Sequence, residues 1–216
     1  LPPLEEKEIE EKDWEAAWKA GFTPLKVGHQ LIIQPTWTPH DDPDIGGTVI
    51  RIDPGLAFGT GHHPTTRRVL ETVEQLCGVN ANVLDIGSGS AILSIAAAKL
   101  GATNVIGLEI DDTALKAGKD NIRTNDVSHQ VRLFHGTLPH PNVPDHWADL
   151  IVANISGTIL TRLAADMRKV LKPNGYLVGA GILADRRTEA EEGLVGVGFE
   201  ITEVLRDDDW VTIIAR

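Results

Sequence analysis

The residues best suited to chemistry lie in one glycine-rich stretch and at one acid downstream of it. The stretch DIGSGSA, residues 85–91, follows an apolar strand and opens a helix. Its Gly87 and Gly89 would let the backbone approach a ligand at the helix N-terminus, where free N–H groups point outward. Glu109 comes twenty-two residues after Gly87, at the end of the next strand. A carboxylate there can accept hydrogen bonds from two ribose hydroxyls at once, so the pattern predicts a nucleoside-containing cofactor.

The spacing of this loop separates two cofactor classes. The spacing G-x-G-x-x-G/A is typical of a dinucleotide site, whereas this loop places Gly87, Gly89 and Ala91 at intervals of two residues. The spacing G-x-G-x-A, with Asp85 just before it, resembles the first motif of the class I S-adenosylmethionine-dependent methyltransferases, which implies S-adenosyl-L-methionine as cofactor. Asp85 itself has two interpretations. It organises the loop or faces the cofactor's ammonium through water, or it is a turn residue that accepts from the amides of GSGS.

Alternating helices and strands must position this loop. From about residue 64 the pattern predicts parallel strands with crossover helices, beginning with a helix at PTTRRVLETVEQL. Strands are expected at NVLDI, NVIGLEI, VRLFHG, ADLIVANI and GYLVGAGI, with KPNG as a turn, and the tail GFEITEVLRDDDWVTIIAR is predicted to form an antiparallel hairpin with an acidic turn. The fold class is therefore α/β, a Rossmann-like, seven-stranded, mostly parallel sheet with helices on both faces and a C-terminal antiparallel hairpin.

A different pattern precedes this sheet. Trp14 and Trp18 lie four residues apart on one face of a predicted helix, and LIIQ and TVIRID are predicted as a pair of strands. The turn-rich stretch PTWTPHDDPDIGG connects them. We therefore divide the chain into a helix and strand-pair segment, residues 1–54, and a methyltransferase-like domain, residues 55–216.

Composition limits the partners and the cellular compartment. The chain of 216 residues has 20 basic and 31 acidic side chains, and its net charge of −11 would repel nucleic acid phosphates. No apolar run is long enough to span a membrane, and the acidic start does not resemble a secretory signal. Cys77 is the only cysteine, so no internal disulfide can form, which favours a reducing cytoplasm. We expect a cytoplasmic protein with no nucleic acid or membrane partner.

His62 and His63 suggest a metal site, but the pattern favours another role. Adjacent side chains seldom converge on one ion, and no nearby carboxylate or cysteine completes a set of ligands. We therefore expect no metal. Helix entry and loop packing are the favoured roles of this pair, and one imidazole acting as a proton acceptor is the alternative.

A second glycine-rich stretch, DPGLAFGTGHHPTT at residues 53–66, precedes DIGSGSA in the chain and is called the first stretch below. The two stretches together indicate one family. DPGLAFGTGHHPTT, DIGSGSAILSIAAAKLGA, ADLIVANI and GAGIL occur in the order found in the ribosomal protein L11 methyltransferase (PrmA) family, and EKDWEAAWKAGFTPLKVGHQLIIQPTW is similar to the segment that precedes them there. The resemblance covers nearly the whole chain. It implies an S-adenosylmethionine-dependent enzyme that methylates amino groups of ribosomal protein L11, on lysine, on the N-terminal α-amine or on both.

The resemblance also implies the roles of individual residues. Phe58 and Thr66 would contact the cofactor from the first stretch, Gly87 would lie against its amino acid part, and Glu109 would hold the ribose. Asn154 would lie beside the methyl group and orient the acceptor amine as the catalytic residue, although a turn role at the strand end is the alternative. The full expected cofactor-binding set is Phe58, Gly59, Thr66, Asp85, Gly87, Ser88, Gly89, Glu109 and Asn154.

Two departures from the family leave alternatives open. Ala91 stands where the family usually has a third glycine. The family also has a separate N-terminal domain that docks the ribosomal substrate, and this chain starts after the place where that domain would end. The expectation is therefore either a fragment of a longer protein or a natural short relative. The alternatives in function are a methyltransferase of the same fold acting on another protein or a small molecule, and a non-catalytic cofactor-binding module.

Overall fold

The computed structural model describes residues 22–38, 46–53 and 59–216. The expected helix with Trp14 and Trp18, and the expected cofactor contact from Phe58, lie outside these residues. The described residues form two sheets and five α-helices, and none of these helices is long and apolar enough to cross a membrane.

The strands and helices have the following bounds. The strands are β1 (Leu25–Val27), β2 (Leu31–Pro35), β3 (Thr48–Ile52), β4 (Asn82–Ile86), β5 (Asn104–Glu109), β6 (Val131–His135), β7 (Ala148–Asn154), β8 (Leu171–Leu183), β9 (Ile201–Asp207) and β10 (Trp210–Ala215). The helices are α1 (Pro64–Leu76), α2 (Ile92–Lys99), α3 (Asp112–Thr124), α4 (Gly157–Val170) and α5 (Arg187–Val195).

The larger sheet has seven strands in the order β6-β5-β4-β7-β8-β10-β9. The strands from β6 to β8 pair in parallel, and β10 runs antiparallel to both of its neighbours. The expected mostly parallel sheet with a C-terminal hairpin is therefore confirmed. The chain passes from β4 to β5 on one side and later to β7 on the other, so the strand order reverses at β4. Ligands of such sheets bind at the carboxyl ends of the strands at this reversal.

Helices cover both faces of this sheet. On β4, Val83 packs into a core shared with α1, α2 and α3, whereas Leu84 and Ile86 face a second core shared with α4 and α5. Alternate residues of a strand point to opposite faces, so a strand buried on both sides becomes an apolar run. Val83, Leu84 and Ile86 form such an apolar run, which Asp85, the one charged residue in the strand, interrupts.

The smaller sheet packs against the same helices. β1 pairs antiparallel with β2, and β2 pairs in parallel with β3, with Leu31 opposite Thr48. The strand pair expected from the sequence is confirmed, whereas β1 was missed because it is only three residues long. Glu74 on α1 anchors this sheet, because its carboxylate accepts hydrogen bonds from the N–H groups of His29 and Gln30 at 2.7 Å each.

Two elements differ from the sequence expectation. KPNG lies within β8 as a bulge: Ala148 pairs with Leu171 and Leu150 pairs with Tyr176, so four residues of β8 lie opposite one residue of β7. Asn174 in this bulge has a φ of +65°, a conformation that asparagine tolerates better than most residues. α5 was not expected at all. It carries few apolar residues and buries only Ala190 and Leu194, so its helical pattern is weak.

Candidate cofactor site

The loops that follow β4, β5, β6 and β7 open onto one cavity of about 630 Å³. This volume is in the range of small-ligand sites in proteins. The cavity brings together Gly87, Gly89, Glu109 and Asn154 from the expected set. It is also lined by residues that the sequence did not single out, namely Ile86, Leu108, Ile110, Asp111, Thr113, Ala114, Gly136, Thr137, Ile155, Ile159, Arg162 and Leu163.

The glycine loop after β4 requires glycine for two reasons. Gly87 has a φ of +72° and Gly89 a φ of +52°, both in the left-handed region that side chains disfavour. A Cβ atom on Gly87 would also lie 2.7 Å from the Cγ2 atom of Ile155. The N–H groups of Gly87 and Ser88 both donate to the carbonyl of Leu108, at 2.9 and 3.1 Å. The loop is therefore held against the end of β5, with its backbone at the cavity.

Ala91 shows how the departure from a third glycine is accommodated. It has a φ of +64° at the start of α2, and its N–H donates to the carbonyl of Ser88 at 2.7 Å. An L-residue in this conformation costs about 1–2 kcal/mol relative to glycine. Ala91 is fully buried and is not one of the residues that line the cavity, so its methyl group does not obstruct a ligand there.

Glu109 is held in place by three backbone N–H groups. Its Oε2 atom accepts from Gly89 at 2.8 Å, and its Oε1 atom accepts from Ile110 at 2.8 Å and from Asp111 at 3.0 Å. A carboxylate has about four lone-pair sites, so about one remains, on Oε2. The side chain is only 8% exposed and lines the cavity. The arrangement leaves Glu109 able to accept a further hydrogen bond from a ligand in the cavity.

Asp85 is fully buried below the loop and does not line the cavity. Its Oδ2 atom accepts from the hydroxyl and the N–H group of Ser94, at 2.6 and 3.1 Å, so among the described residues it bonds α2 and not the amides of GSGS. Its Oδ1 atom has no hydrogen-bond partner among these residues. The pKa of Asp85 is raised to about 7, because burial, with a smaller contribution from the nearby Glu109, raises it more than the two bonds from Ser94 lower it.

Asn154 reaches the cavity from the carboxyl end of β7. Its Nδ2 atom donates to the hydroxyl of Thr66 at 3.3 Å. Thr66 is 1% exposed on α1 and does not line the cavity, so it contacts Asn154 from behind. Gly181 packs on the other side, where a Cβ atom would lie 3.2 Å from Oδ1 of Asn154. The bond to Thr66 orients the side-chain amide, and glycine is needed at position 181 because its φ is +79° and a Cβ atom there would lie 2.6 Å from the carbonyl oxygen of Ile155.

The two glycine-rich stretches touch each other. The carbonyl of Gly59 accepts from the hydroxyl of Ser90 at 2.6 Å. Gly59 has a φ of +101°, and a Cβ atom on it would lie 2.7 Å from that hydroxyl. Gly59 and Ser88 of the expected set do not line the cavity, and Ser88 has a buried hydroxyl with no hydrogen-bond partner among the described residues.

The histidine pair packs at the entry to α1. His63 caps the helix, since its Nδ1 atom accepts from the N–H group of Thr65 at 3.3 Å, and its ring meets Trp210 edge-on at 5.1 Å. His62 meets Phe22 edge-on at 5.2 Å. The favoured role in helix entry and packing is confirmed. No group of three potential metal ligands occurs within residues 22–38, 46–53 and 59–216.

The strand order, the glycine loop after β4 and the acid at the end of β5 define the class of S-adenosylmethionine-dependent methyltransferases with a Rossmann-like fold. The chain belongs to the ribosomal protein L11 methyltransferase (PrmA) family, whose family model matches residues 2–216. The family expected from the sequence is therefore confirmed, and with it an enzyme class that uses S-adenosylmethionine.

Individual relatives agree with this assignment. A ribosomal protein L11 methyltransferase of Geobacillus thermodenitrificans is 40% identical over 211 residues, which cover 96% of this chain and 66% of that protein. The chain thus spans about two thirds of the length of this relative. A crystal structure of a ribosomal protein L11 methylase from Lactobacillus delbrueckii matches with a TM-score of 0.82 and 30% identity, over 90% of this chain and 98% of that one. Aeropyrum pernix fibrillarin, solved with bound S-adenosyl-L-methionine, shares the fold at a TM-score of 0.57 and 17% identity, over 65% of this chain and 68% of that one.

The raised pKa of Asp85 predicts a pH dependence of stability. A carboxyl whose pKa is higher in the folded than in the unfolded state stabilises the fold below its ordinary pKa, and this contribution is lost as the pH rises to about 7. Urea unfolding at pH 5 and pH 8 should therefore show the stability of Asp85→Asn improving relative to the wild type at the higher pH. If the free energies of unfolding of the two proteins differ by the same amount at both pH values, the pKa of Asp85 is not raised.

The three bonds to Glu109 predict the effect of removing its charge. Glutamine offers one acceptor oxygen, so Glu109→Gln cannot accept from all three N–H groups. We expect the dissociation constant for S-adenosylmethionine in titration calorimetry to rise about tenfold or more, since a bond to a charged group contributes about 1.5–3 kcal/mol. The matched control is Asp112→Asn, a nearby carboxylate whose side chain is 89% exposed. Equal affinities of Glu109→Gln and the control would be inconsistent with a ribose at this carboxylate.

Proposed function

We propose that this chain carries the catalytic domain of an S-adenosylmethionine-dependent protein N-methyltransferase that acts on amino groups of ribosomal protein L11. The observation that carries the proposal is the joint position of Glu109 and Asn154. They come from the ends of β5 and β7 and line one cavity with the glycine loop, so a cofactor site and an amide that can hold an acceptor lie together. The names of relatives at 30–40% identity support L11 as the substrate.

The residues of the chain fit the cofactor of this class. The cavity of about 630 Å³ has close backbone approach at Gly87 and a fixed carboxylate at Glu109, and both suit a ligand with a ribose. Gly87 and Gly89 would hold its amino acid part, Glu109 its ribose, and Asn154 would lie near the group transferred. S-adenosylmethionine, when bound, supplies a methyl group on a sulfonium that is already a good leaving group.

The harder requirement is a neutral acceptor amine. Deprotonating a lysine with a pKa of about 10.4 at pH 7 costs roughly 4–5 kcal/mol, whereas an α-amino group with a pKa near 8 costs about 1–1.5 kcal/mol. Removal from water lowers the pKa of either amine. Asn154 suits this task because its oxygen can accept a hydrogen bond from the amine without adding a charge that would favour the ammonium form. Holding the amine in line is the main contribution asked of the chain.

A protein substrate would approach Asn154 over the surface formed by His63, Trp210 and Leu183. His63 lies one helical turn before Thr66, its ring meets that of Trp210, and Trp210 pairs with Leu183 at the end of β8. Leu183 is 46% exposed, although it is apolar. Asp208 and Asp209 in the adjoining turn are exposed as well. An aromatic and apolar surface with acids at its edge suits the approach of a lysine or an α-amine.

The other roles follow from this proposal. A ribosomal substrate places the protein in the cytoplasm, and the acceptor is a protein amine rather than nucleic acid or lipid. A methyltransferase of the same fold acting on another protein or a small molecule is the second candidate.

The test is transfer of labelled methyl groups. Purified chain and S-adenosylmethionine labelled in the methyl group are incubated with purified L11 and, separately, with cell extract freed of small molecules or of proteins. The proposal predicts label in L11 on amino groups, located by mass spectrometry of its peptides. Label only in small molecules would support the second candidate, and cofactor binding with no transfer to any acceptor would support a non-catalytic module.

Asn154 should affect turnover more than cofactor binding. We expect Asn154→Ala to lower kcat about tenfold to a hundredfold, because the acceptor loses its orienting contact. The dissociation constant for S-adenosylmethionine should change less than about threefold, since Asn154 would lie beside the transferred methyl group while the glycine loop and Glu109 hold the rest of the cofactor. The control is Asn142→Ala, an exposed asparagine away from the cavity. Equal losses in turnover and affinity would argue against the orienting role.

A further inference from the structure

A buried asparagine on α3 connects both glycine-rich stretches from outside the cavity. Asn121 is 1% exposed and does not line the cavity. Its Nδ2 atom donates to the carbonyl of Ser90 at 3.0 Å, and its Oδ1 atom accepts from the N–H group of Asp53 at 2.9 Å. Ser90 belongs to the loop after β4, and Asp53 follows β3, so one side-chain amide bridges residues distant in sequence.

Helix α3 lies directly behind the glycine loop. A Cβ atom on Gly118 would lie 3.0 Å from the carbonyl oxygen of Gly89 and 3.3 Å from the Cβ atom of Ala91. Gly118 and Asn121 are three residues apart, so they lie on the same face of the helix. The close approach at Gly118 brings the amide of Asn121 within reach of Ser90.

Ser90 is the residue where these contacts meet. Its carbonyl accepts from Asn121, its hydroxyl donates to the carbonyl of Gly59, and it is fully buried. The preceding residue, Gly89, donates its N–H group to Glu109. A shift of Ser90 would therefore move the Gly89 N–H group and the carboxylate that it holds.

We propose that Asn121 is a positioning residue for the cofactor, which acts through Ser90 to hold Gly89 and Glu109 in their binding geometry. The inference rests on the proposed function, since it concerns the same cofactor site. Asn121 does not reach the cavity, so its effect on a ligand there is indirect. Loss of its bonds frees the Ser90 carbonyl to rotate and lowers the fraction of molecules with a preorganised loop, which weakens binding.

The chain provides a matched control one helical turn further along. Asn125 is 5% exposed, and its side chain bonds the same strand, accepting from the N–H group of Arg51 at 2.9 Å and donating to its carbonyl at 2.6 Å. Asn125 thus docks β3 on α3 as Asn121 does; its side chain also donates to the carbonyl of Asn121 at 2.8 Å, and among the described residues it makes no hydrogen bond to the glycine loop. A merely structural role of Asn121 predicts that both asparagines behave alike.

The experiment compares Asn121→Ala with Asn125→Ala in the full chain. Thermal unfolding should show both variants destabilised, because Asn121→Ala loses two buried backbone partners and Asn125→Ala loses three, the third being the carbonyl of Asn121. Titration calorimetry with S-adenosylmethionine should show the dissociation constant rising about tenfold for Asn121→Ala and less than about threefold for Asn125→Ala. In methyl transfer the KM for the cofactor should rise in the same proportion, with kcat changed less.

The same measurements distinguish a failure of the positioning role of Asn121 from a failure of the proposed function. Equal affinities of Asn121→Ala and Asn125→Ala would overturn the positioning role, whether both bind like the wild type or both are weakened. A wild-type chain that does not bind S-adenosylmethionine would instead refute the proposed function. If Asn121→Ala does not fold, Asn121→Asp keeps a side-chain oxygen that accepts from the N–H group of Asp53 and removes the donor to the carbonyl of Ser90. The proposal predicts a weakened affinity of Asn121→Asp for S-adenosylmethionine, and wild-type affinity would overturn it.

Discussion

The carboxylate of Glu109 is the point on which the geometry of the site depends. Its three bonds from backbone N–H groups join the loop after β4 to the loop after β5, and two further bonds from the loop after β4 reach the carbonyl of Leu108. The two loops therefore cannot move apart without breaking several hydrogen bonds, at a cost of about 1 kcal/mol or more for each. A ligand that binds there meets a carboxylate already in position, so little ordering opposes binding.

The described parts of the two glycine-rich stretches differ in their position relative to the cavity. The loop after β4 faces the cavity with its backbone, whereas Gly59 of the first stretch bonds the buried Ser90 hydroxyl behind it. Thr66 continues the first stretch into α1 and holds the amide of Asn154. The first stretch thus supports the loop and the proposed catalytic amide, and α3 holds the same loop through Asn121.

Periodicity and spacing were enough to predict the sheet and to place Glu109 at its carboxyl edge, where it lines the cavity. The buried strands and the acid at the end of β5 repeat a pattern that parallel α/β sheets require, so Glu109 could be found by position alone. β1 and α5 were missed because one is too short and the other too polar for a periodic signal. The bond between Asn121 and Ser90 joins residues 31 apart, and the contact of His63 with Trp210 depends on how β10 pairs with β8. Such contacts follow from packing, which spacing along the chain does not reveal.

We propose above all that Glu109 holds the ribose of S-adenosylmethionine within this cavity. A crystal structure of the chain with S-adenosylhomocysteine tests it most directly. The account predicts a ribose hydroxyl within hydrogen-bond distance of Oε2 of Glu109, with the N–H groups of Gly89, Ile110 and Asp111 still bonded to that carboxylate. A ligand bound outside the cavity, or one whose ribose hydroxyls meet other residues and leave Glu109 unbonded to them, would contradict it.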